Sequence, residues 1–128
     1  MRIYIASRYD RRFEMLGVTG VLMRAGHVVT SRWIEGRGEG PELEAAEDLA
    51  DVLRADCLVS FTEEPAVGVS WAARGGRHVE FGIALPAGKR LCVVGPRENI
   101  FHFLPKVEVY ASITDLVRGL AVPAVAKR

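Results

Sequence analysis

Short apolar runs alternate with longer amphipathic segments along the 128 residues of this chain. The runs have the length of strands, and the longer segments repeat apolar residues at the spacing of a helix. The predicted strands cover residues 2–6, 27–33, 56–61, 90–94 and 106–110. The predicted helices cover residues 11–24, 41–54 and 112–120, with a further helix that contains Glu80 and weakens at Pro86.

This alternation, with short turns between the elements, predicts a parallel five-stranded sheet with helices on both faces. We expect one domain over residues 1–128, with a doubly wound α/β fold of the flavodoxin or Rossmann-like kind. In such sheets ligands bind beyond the carboxyl ends of the strands. The segments after the first, third and fourth strands are therefore where a site is expected.

Three predicted helices carry recognisable end signals. Ala25 and Gly26 close the first helix, and Pro41 opens the second. Ser112 is placed to cap the last helix, with Asp115 at the capping-box position.

The composition is that of a globular protein, with 49% hydrophobic residues, 26% charged residues and a formal net charge of +1. This balance gives no electrostatic reason to expect nucleic acid as the partner. No apolar stretch reaches the ~20 residues of a membrane span, and the chain begins directly with a predicted strand rather than a secretory segment. Cys57 and Cys92 lie in apolar runs and are expected to be reduced core thiols. We therefore expect a cytoplasmic protein without a membrane partner.

The stretch 74–84 contains the first candidate for chemistry. Glu80 follows the glycine pair Gly75–Gly76, and we expect it near a helix N-terminus that keeps its carboxylate ionised. An ionised, positioned carboxylate is what a covalent displacement at a sugar carbon requires. Gly76 would let a ligand approach the backbone closely, and Arg77 could hold Glu80 ionised or bind an anion. A solvated helix face is the alternative, which the apolar neighbours of Glu80 disfavour.

Four further residues are candidates, each with a structural alternative. Asp48 lies in an acidic, alanine-rich helix, where periodicity alone does not single it out. Tyr4, in the first strand, needs a hydrogen-bond partner if it is buried and could donate to a carboxylate. Ser7 and Arg8 follow that strand and suit a phosphate or a sugar hydroxyl, although polar turns are common in this position.

Other residue patterns mainly exclude functions. Trp33 and Trp71 could stack on a planar base or be half-buried packing residues. His78 and His102 have no metal-ligand spacing with either cysteine, so we expect no zinc site. The chain has neither a G-x-x-x-x-G-K-[ST] motif nor a G-x-G-x-x-G motif after the first strand. A nucleoside triphosphatase or a dinucleotide oxidoreductase is disfavoured, and no cofactor is expected.

Several short motifs occur in a characteristic order along the chain. They are Ile3-Tyr-Ile-Ala-Ser7, Asp48-Leu49, Ala55-Asp56, Val79-Glu-Phe-Gly-Ile-Ala84 and Gly88-Lys89. This ordered set resembles the nucleoside 2-deoxyribosyltransferase superfamily, which includes the 2′-deoxynucleoside 5′-monophosphate N-hydrolases. The resemblance spans roughly residues 2 to 118, and the loop before Glu80 is longer here than in the compact hydrolases.

The resemblance implies roles for individual residues. Glu80 would attack the anomeric carbon and form a glycosyl-enzyme ester, with Asp48 near the departing base and Tyr4 beside the nucleophile. Relatives also borrow a residue from a neighbouring subunit. Asn99 and His102 lie in the segment where such a contribution would arise, so a homodimer or higher homo-oligomer is expected.

The sequence therefore predicts an enzyme that cleaves the N-glycosidic bond of a (deoxy)nucleoside or its 5′-monophosphate. The reaction would pass through a covalent glycosyl-glutamate, and would end by hydrolysis or by transfer to another base. Two alternatives stay open at this point: a non-catalytic nucleotide-binding module, and a glycohydrolase that acts on NAD-like nucleotides.

Overall fold

A computed structural model of the protein describes residues 1–64 and 75–124. Five strands and four α-helices lie in these two ranges, together with three short 3-10 turns. The strands are β1 (Arg2–Ala6), β2 (Val28–Val29), β3 (Cys57–Phe61), β4 (Arg90–Val94) and β5 (Val107–Tyr110). The helices are α1 (Arg12–Arg24), α2 (Pro41–Arg54), α3 (Gly76–Ala84) and α4 (Ile113–Leu120). The 3-10 turns are Tyr9–Arg11, Arg32–Glu35 and Ile100–Phe103.

All five strands are parallel, in the order β2-β1-β3-β4-β5. This is the flavodoxin-like order, in which the chain reverses its direction across the sheet between β1 and β3. The predicted doubly wound α/β fold is confirmed. The reversal opens a crevice beyond the carboxyl ends of β1 and β3, where a ligand has access to several connecting segments.

Helices cover both faces of the sheet. On one face α2 packs against α3, and both helices contact β1. On the other face the beginnings of α1 and α4 approach each other over the ends of β3 and β4. All five residues of β3 are buried, as expected for the central strand of a sheet covered on both sides. Cys57 and Cys92 are free thiols in this core, as predicted, with their sulfur atoms 4.0 Å apart.

The prediction of a strand over residues 27–33 is wrong for most of its length. Only Val28 and Val29 pair with β1, and the chain then turns through Arg32–Glu35. The turn places Trp33 in the core, where its indole N–H donates to the carbonyl of Ile5 over 2.8 Å. An apolar residue buried by a 3-10 turn has the same sequence pattern as one in a strand, so the pattern could not separate the two.

The predicted helix ends are present. Gly26 adopts φ 93° after α1, and Pro41 is in the first turn of α2. The Ser112 hydroxyl accepts the backbone N–H of Asp115 over 3.1 Å. The carboxylate of Asp115 accepts from Arg118, so its part of the predicted capping box is replaced by an ion pair.

Candidate active site

A cavity of about 410 Å³ lies beyond the carboxyl end of β1, beside the reversal in strand order. Its volume is within the range of small-molecule sites, roughly 300–1,000 Å³. Residues from the β1–α1 connection, the segment 33–37, α2 and the start of α3 form its walls. They are Ser7, Arg8, Tyr9, Asp10, Trp33, Arg37, Asp48, Gly75, Gly76, Arg77 and Glu80.

Glu80 reaches this cavity from the middle of α3. It is the fifth residue of a helix that starts at Gly76, so the expected position at the helix N-terminus is wrong. The hydroxyl of Tyr4 on β1 donates a hydrogen bond to Glu80 Oε2, as the sequence predicted. Tyr4 is fully buried, and burial together with the Glu80 carboxylate raises its pKa far above the ordinary value. The phenol therefore remains protonated and acts only as a donor.

The surroundings of Glu80 favour its neutral form. Its pKa is raised to about 8, mainly by burial and also by the neighbouring Asp48 carboxylate. The hydrogen bond from Tyr4 and the charge of Arg37 act in the opposite direction. The expectation that Glu80 is kept ionised is therefore wrong at neutral pH, because desolvation outweighs these stabilising contacts.

Asp48 on α2 faces the same end of the cavity, as the sequence predicted without being able to distinguish it from its acidic neighbours. Its two oxygens lie 2.6 Å and 3.4 Å from two nitrogens of the Arg37 guanidinium. This bidentate contact restrains the Asp48 side chain beside Glu80. Because the pKa of Glu80 is raised to about 8, Glu80 carries a proton at neutral pH.

Arg37 and Tyr9 are site residues that the sequence did not reveal. The backbone N–H of Arg37 donates to the Tyr9 hydroxyl over 3.1 Å, and its guanidinium lies 5.6 Å from the centre of the Tyr9 ring. Flanking glycines permit this path, since Gly36 has φ 123° and Gly40 has φ 97°. A glycine-rich loop has no periodicity that would show where its one arginine points. Its only signal is an arginine held between two glycines.

Ser7 and Arg8 line the cavity at the end of β1, where the sequence placed them. The Arg8 guanidinium pairs with Asp10 over 2.8 Å and with Glu63 over 2.9 Å. The Ser7 hydroxyl donates to the Arg8 carbonyl over 2.9 Å. Arg8 is therefore already neutralised by carboxylates, which reduces the attraction of this corner for a phosphate.

At the opposite wall, Gly75 and Gly76 begin α3, and Gly75 adopts φ 84°. Arg77 lines the cavity, but its predicted contact with Glu80 is wrong. Its guanidinium makes a bidentate ion pair with Glu98, at 3.0 Å and 2.6 Å, and its side chain is only 5% exposed. Arg77 thus connects α3 to the segment after β4.

Asn99 and His102 do not line the cavity within this chain. The Asn99 carboxamide oxygen caps the 3-10 turn by accepting the N–H of Phe101 over 3.0 Å. His102 is fully buried, and its Nδ1 accepts the N–H of Glu98 over 2.9 Å. A side chain buried within its own chain cannot reach a neighbouring subunit, so the predicted contribution of His102 is wrong. That of Asn99 stays a prediction.

Both tryptophans were candidates for stacking on a base. Trp33 lines the cavity, but it is 97% buried and its N–H donates to Ile5, so it is a core packing residue rather than the half-buried one considered from sequence. Trp71 and Arg74 lie outside the described residues.

Within residues 1–64 and 75–124, no group of His, Cys, Asp or Glu side chains is arranged to hold a metal ion. In the same ranges no helix combines the length and apolar character needed to cross a membrane.

Comparison with known proteins gives likeness in structure only. No model of a protein family and no curated protein matches the chain. The CMP N-glycosidase BcmB of Clostridium botulinum superposes with a TM-score of 0.57 at 21% identity, over 94% of this chain and 98% of that protein. The solution structure of BlsM superposes with a TM-score of 0.61 at 17% identity, over 98% and 97%.

The protein shares their fold. Both likenesses extend over almost the whole chain, so the resemblance noted in the sequence is confirmed at the level of the fold.

Proposed function

We propose that this protein cleaves the N-glycosidic bond of a nucleoside or of its 5′-monophosphate, with Glu80 as the nucleophile. The observation that carries the proposal is the cluster of Tyr4, Asp48 and Glu80 at one end of a nucleotide-sized cavity. These are the residues to which the family resemblance assigned the chemistry. That one structural neighbour is a CMP N-glycosidase supports the same reaction class.

In the proposed first step, a Glu80 carboxylate oxygen attacks the anomeric carbon of the sugar. The bond between that carbon and the base nitrogen breaks, and its electron pair leaves with the base. The departing base takes up the proton that the Asp48 and Glu80 pair holds at neutral pH. The hydroxyl of Tyr4 orients the attacking carboxylate through its hydrogen bond to Glu80.

In the second step an acceptor attacks the glycosyl-glutamate ester and releases Glu80. If the acceptor is water, its oxygen joins the sugar, its proton returns to the carboxyl pair, and the enzyme is a hydrolase. If the acceptor is a second base, the enzyme is a transferase. The retained configuration at the anomeric carbon follows from two successive displacements in either case.

A base-release assay tests this proposal. The protein is incubated with deoxynucleosides, ribonucleosides and their 5′-monophosphates, with and without an acceptor base, and free base is measured by chromatography. Release without acceptor indicates hydrolysis, and exchange that needs an acceptor indicates transfer. Comparison of the phosphorylated and unphosphorylated substrates shows whether Ser7 and Arg8 bind a phosphate.

The matched control is Glu80→Gln, which keeps the size and the hydrogen-bonding capacity of the side chain. We expect it to lose at least ~10³-fold in kcat, as when a covalent nucleophile is removed. Full activity of Glu80→Gln would exclude the mechanism. Absence of turnover with every nucleoside and nucleotide, NAD included, would exclude an enzyme of this class and favour a nucleotide-binding module.

A further inference from the structure

Arg37 occupies a position that the two-carboxylate mechanism does not by itself explain. It comes from the loop before α2, and it contacts Asp48 rather than an exposed surface partner. The Arg37 and Asp48 side chains are 27% and 15% exposed. An ion pair this sheltered is screened less by solvent and salt than an exposed pair.

Three contacts fix the orientation of Arg37. Two guanidinium nitrogens of Arg37 lie 2.6 Å and 3.4 Å from the two Asp48 oxygens. The backbone N–H of Arg37 donates to the Tyr9 hydroxyl, and the Arg37 guanidinium lies over the Tyr9 ring. A bidentate contact restrains the rotation of the carboxylate as well as its distance. Asp48 is thus held in one orientation at the end of the cavity where Glu80 lies.

We propose that Arg37 is a positioning residue of this site, which holds the Asp48 side chain in a fixed orientation next to Glu80 so that Asp48 can accept the Glu80 proton in each cycle. This inference rests on the proposed function. When the substrate binds, the Glu80 proton passes to Asp48, and Glu80 attacks as a carboxylate. As the carbon–nitrogen bond breaks, Asp48 gives this proton to the base nitrogen, which leaves neutral. In hydrolysis the proton of the attacking water restores the starting state.

Among residues 1–64 and 75–124, the other charged groups around Glu80 do not duplicate this role. Tyr4 approaches it from β1 as a neutral donor, and Asp48 approaches it from α2. Arg77, on the same helix as Glu80, is occupied by Glu98. From the β1–α1 connection come Arg8 and its partner Asp10, and from α2 comes Glu44, which accepts the N–H of Gly38 in the Arg37 loop.

The test compares Arg37→Met and Arg37→Lys with the wild type. Arg118→Met is the matched control, because it removes an arginine from an exposed pair with Asp115 on α4, far along the chain from the cavity. Two quantities are measured for each protein. The first is the titration midpoint of the Glu80 carboxyl by NMR in the absence of substrate, with Glu80→Gln to assign the signal. The second is kcat and KM against pH in the base-release assay.

For Arg37→Met we expect the Glu80 midpoint to rise by about one pH unit, since an opposing positive charge is removed. We expect kcat to fall by ~10²-fold, the typical contribution of a positioned proton-transfer group, with KM within about threefold of the wild type. Arg37→Lys retains the charge without the bidentate geometry. It should therefore restore the midpoint while recovering only part of kcat. Arg118→Met should match the wild type in both.

Two results would overturn the role of Arg37. A higher KM with unchanged kcat and unchanged midpoint would make it a substrate-binding residue. A lower melting temperature with both quantities unchanged would make it a structural ion pair. An inactive wild type would instead reject the proposed function, and the substrate-free titration would still show whether Arg37 acts on the carboxyl pair.

Discussion

At the scale of single residues, Glu80 combines a reactive position with an unfavourable environment for charge. It is surrounded by the core, by a phenol that must donate and by a second carboxyl group. Separating two carboxyl groups into one protonated and one ionised member is how enzymes perform acid and nucleophile chemistry at one pH. Here burial favours the protonated form of Glu80, and the Asp48 side chain is paired with the Arg37 guanidinium.

The pH dependence of the rate follows from this arrangement. In the proposed mechanism the carboxyl pair supplies the proton for the departing base, and Glu80 loses its proton above a pH of about 8, its pKa. We expect kcat/KM to be level near neutrality and to fall about tenfold for each pH unit above this value. A profile of kcat/KM against pH with one substrate measures this decrease. A rate that continues to rise above pH 8 would show that the base obtains its proton elsewhere.

The same pKa affects stability in a defined direction. In the folded state the pKa of Glu80, about 8, lies above its ordinary value of 4.5, so the protonated form stabilises the fold and this stability is lost as pH rises between the two values. Glu80→Gln stays neutral throughout. We expect its melting temperature to exceed that of the wild type at pH 9 by on the order of 5 °C, and to differ little at pH 4. Equal melting curves at pH 9 would mean that the site tolerates a charged Glu80.

The sequence predicted which three candidate residues lie together better than it predicted their surroundings. Tyr4, Asp48 and Glu80 belong to elements with clear periodicity, and the family resemblance named them together. The ion-pair partners of Arg77 and Asp48 could not be predicted in this way, because these partners, Glu98 and Arg37, lie in connecting segments without periodicity. The local sequence pattern does not indicate which loop side chain contacts which helix. These ion pairs could therefore be identified only from the folded structure.

At the scale of elements, one buried carboxylate joins α2 to the turn that precedes the Arg37 loop. Asp51 is completely buried and accepts the backbone N–H of Arg32 over 3.0 Å. It also pairs with the side chains of Arg32 and Arg54, each at 2.8 Å. The junction fixes residues 32–35 on α2 and so determines where the following loop begins.

We expect Asp51→Ala to destabilise the fold by about 3 kcal/mol, the cost of breaking a buried ion pair and leaving a backbone donor without a partner. Urea unfolding measures the change. Glu47→Ala is the control, because Glu47 contacts Arg32 from the exposed side of α2 at 3.7 Å and should contribute less than ~0.5 kcal/mol. Similar effects of the two substitutions would contradict a special role for Asp51.

Element boundaries were predictable where one signal acted alone. Pro41, Gly26 and Ser112 define helix ends by local backbone geometry, and the structure places them there. The segment after β2 was not predictable, because Trp33 and Ile34 are buried by a turn that Asp51 stabilises from 17 residues or more along the chain. A tertiary contact at that distance overrides the strand tendency of the segment.

At the scale of the molecule, the order of strands brings β1, α2 and α3 together on one side of the sheet. Residues 4, 48 and 80 are therefore neighbours only in the complete fold. The alternation of elements was sufficient to predict this class of sheet, because parallel strands need crossover helices. The exact pairing of the edge strand β2 could not be predicted from this alternation.

Oligomer formation is the prediction that belongs to this scale. The family resemblance implies a homodimer or a larger assembly, so light scattering should give a mass that is a multiple of 14.0 kDa. The same measurement on Glu80→Gln serves as a control for the integrity of the fold. A single mass of one chain at assay concentration would show that the site functions with the residues of one subunit.

Each arginine among the described residues that line the cavity already has an internal counterion: Asp10 and Glu63 for Arg8, Asp48 for Arg37, and Glu98 for Arg77. An anionic ligand that binds one of them must displace a carboxylate, so the free energy gained is only the difference between two ion pairs. Association should then be steered weakly by charge and should vary little with ionic strength. For the proposed nucleoside or nucleotide substrate we therefore expect selection by shape and hydrogen-bond pattern, with a phosphate group binding by displacing a carboxylate.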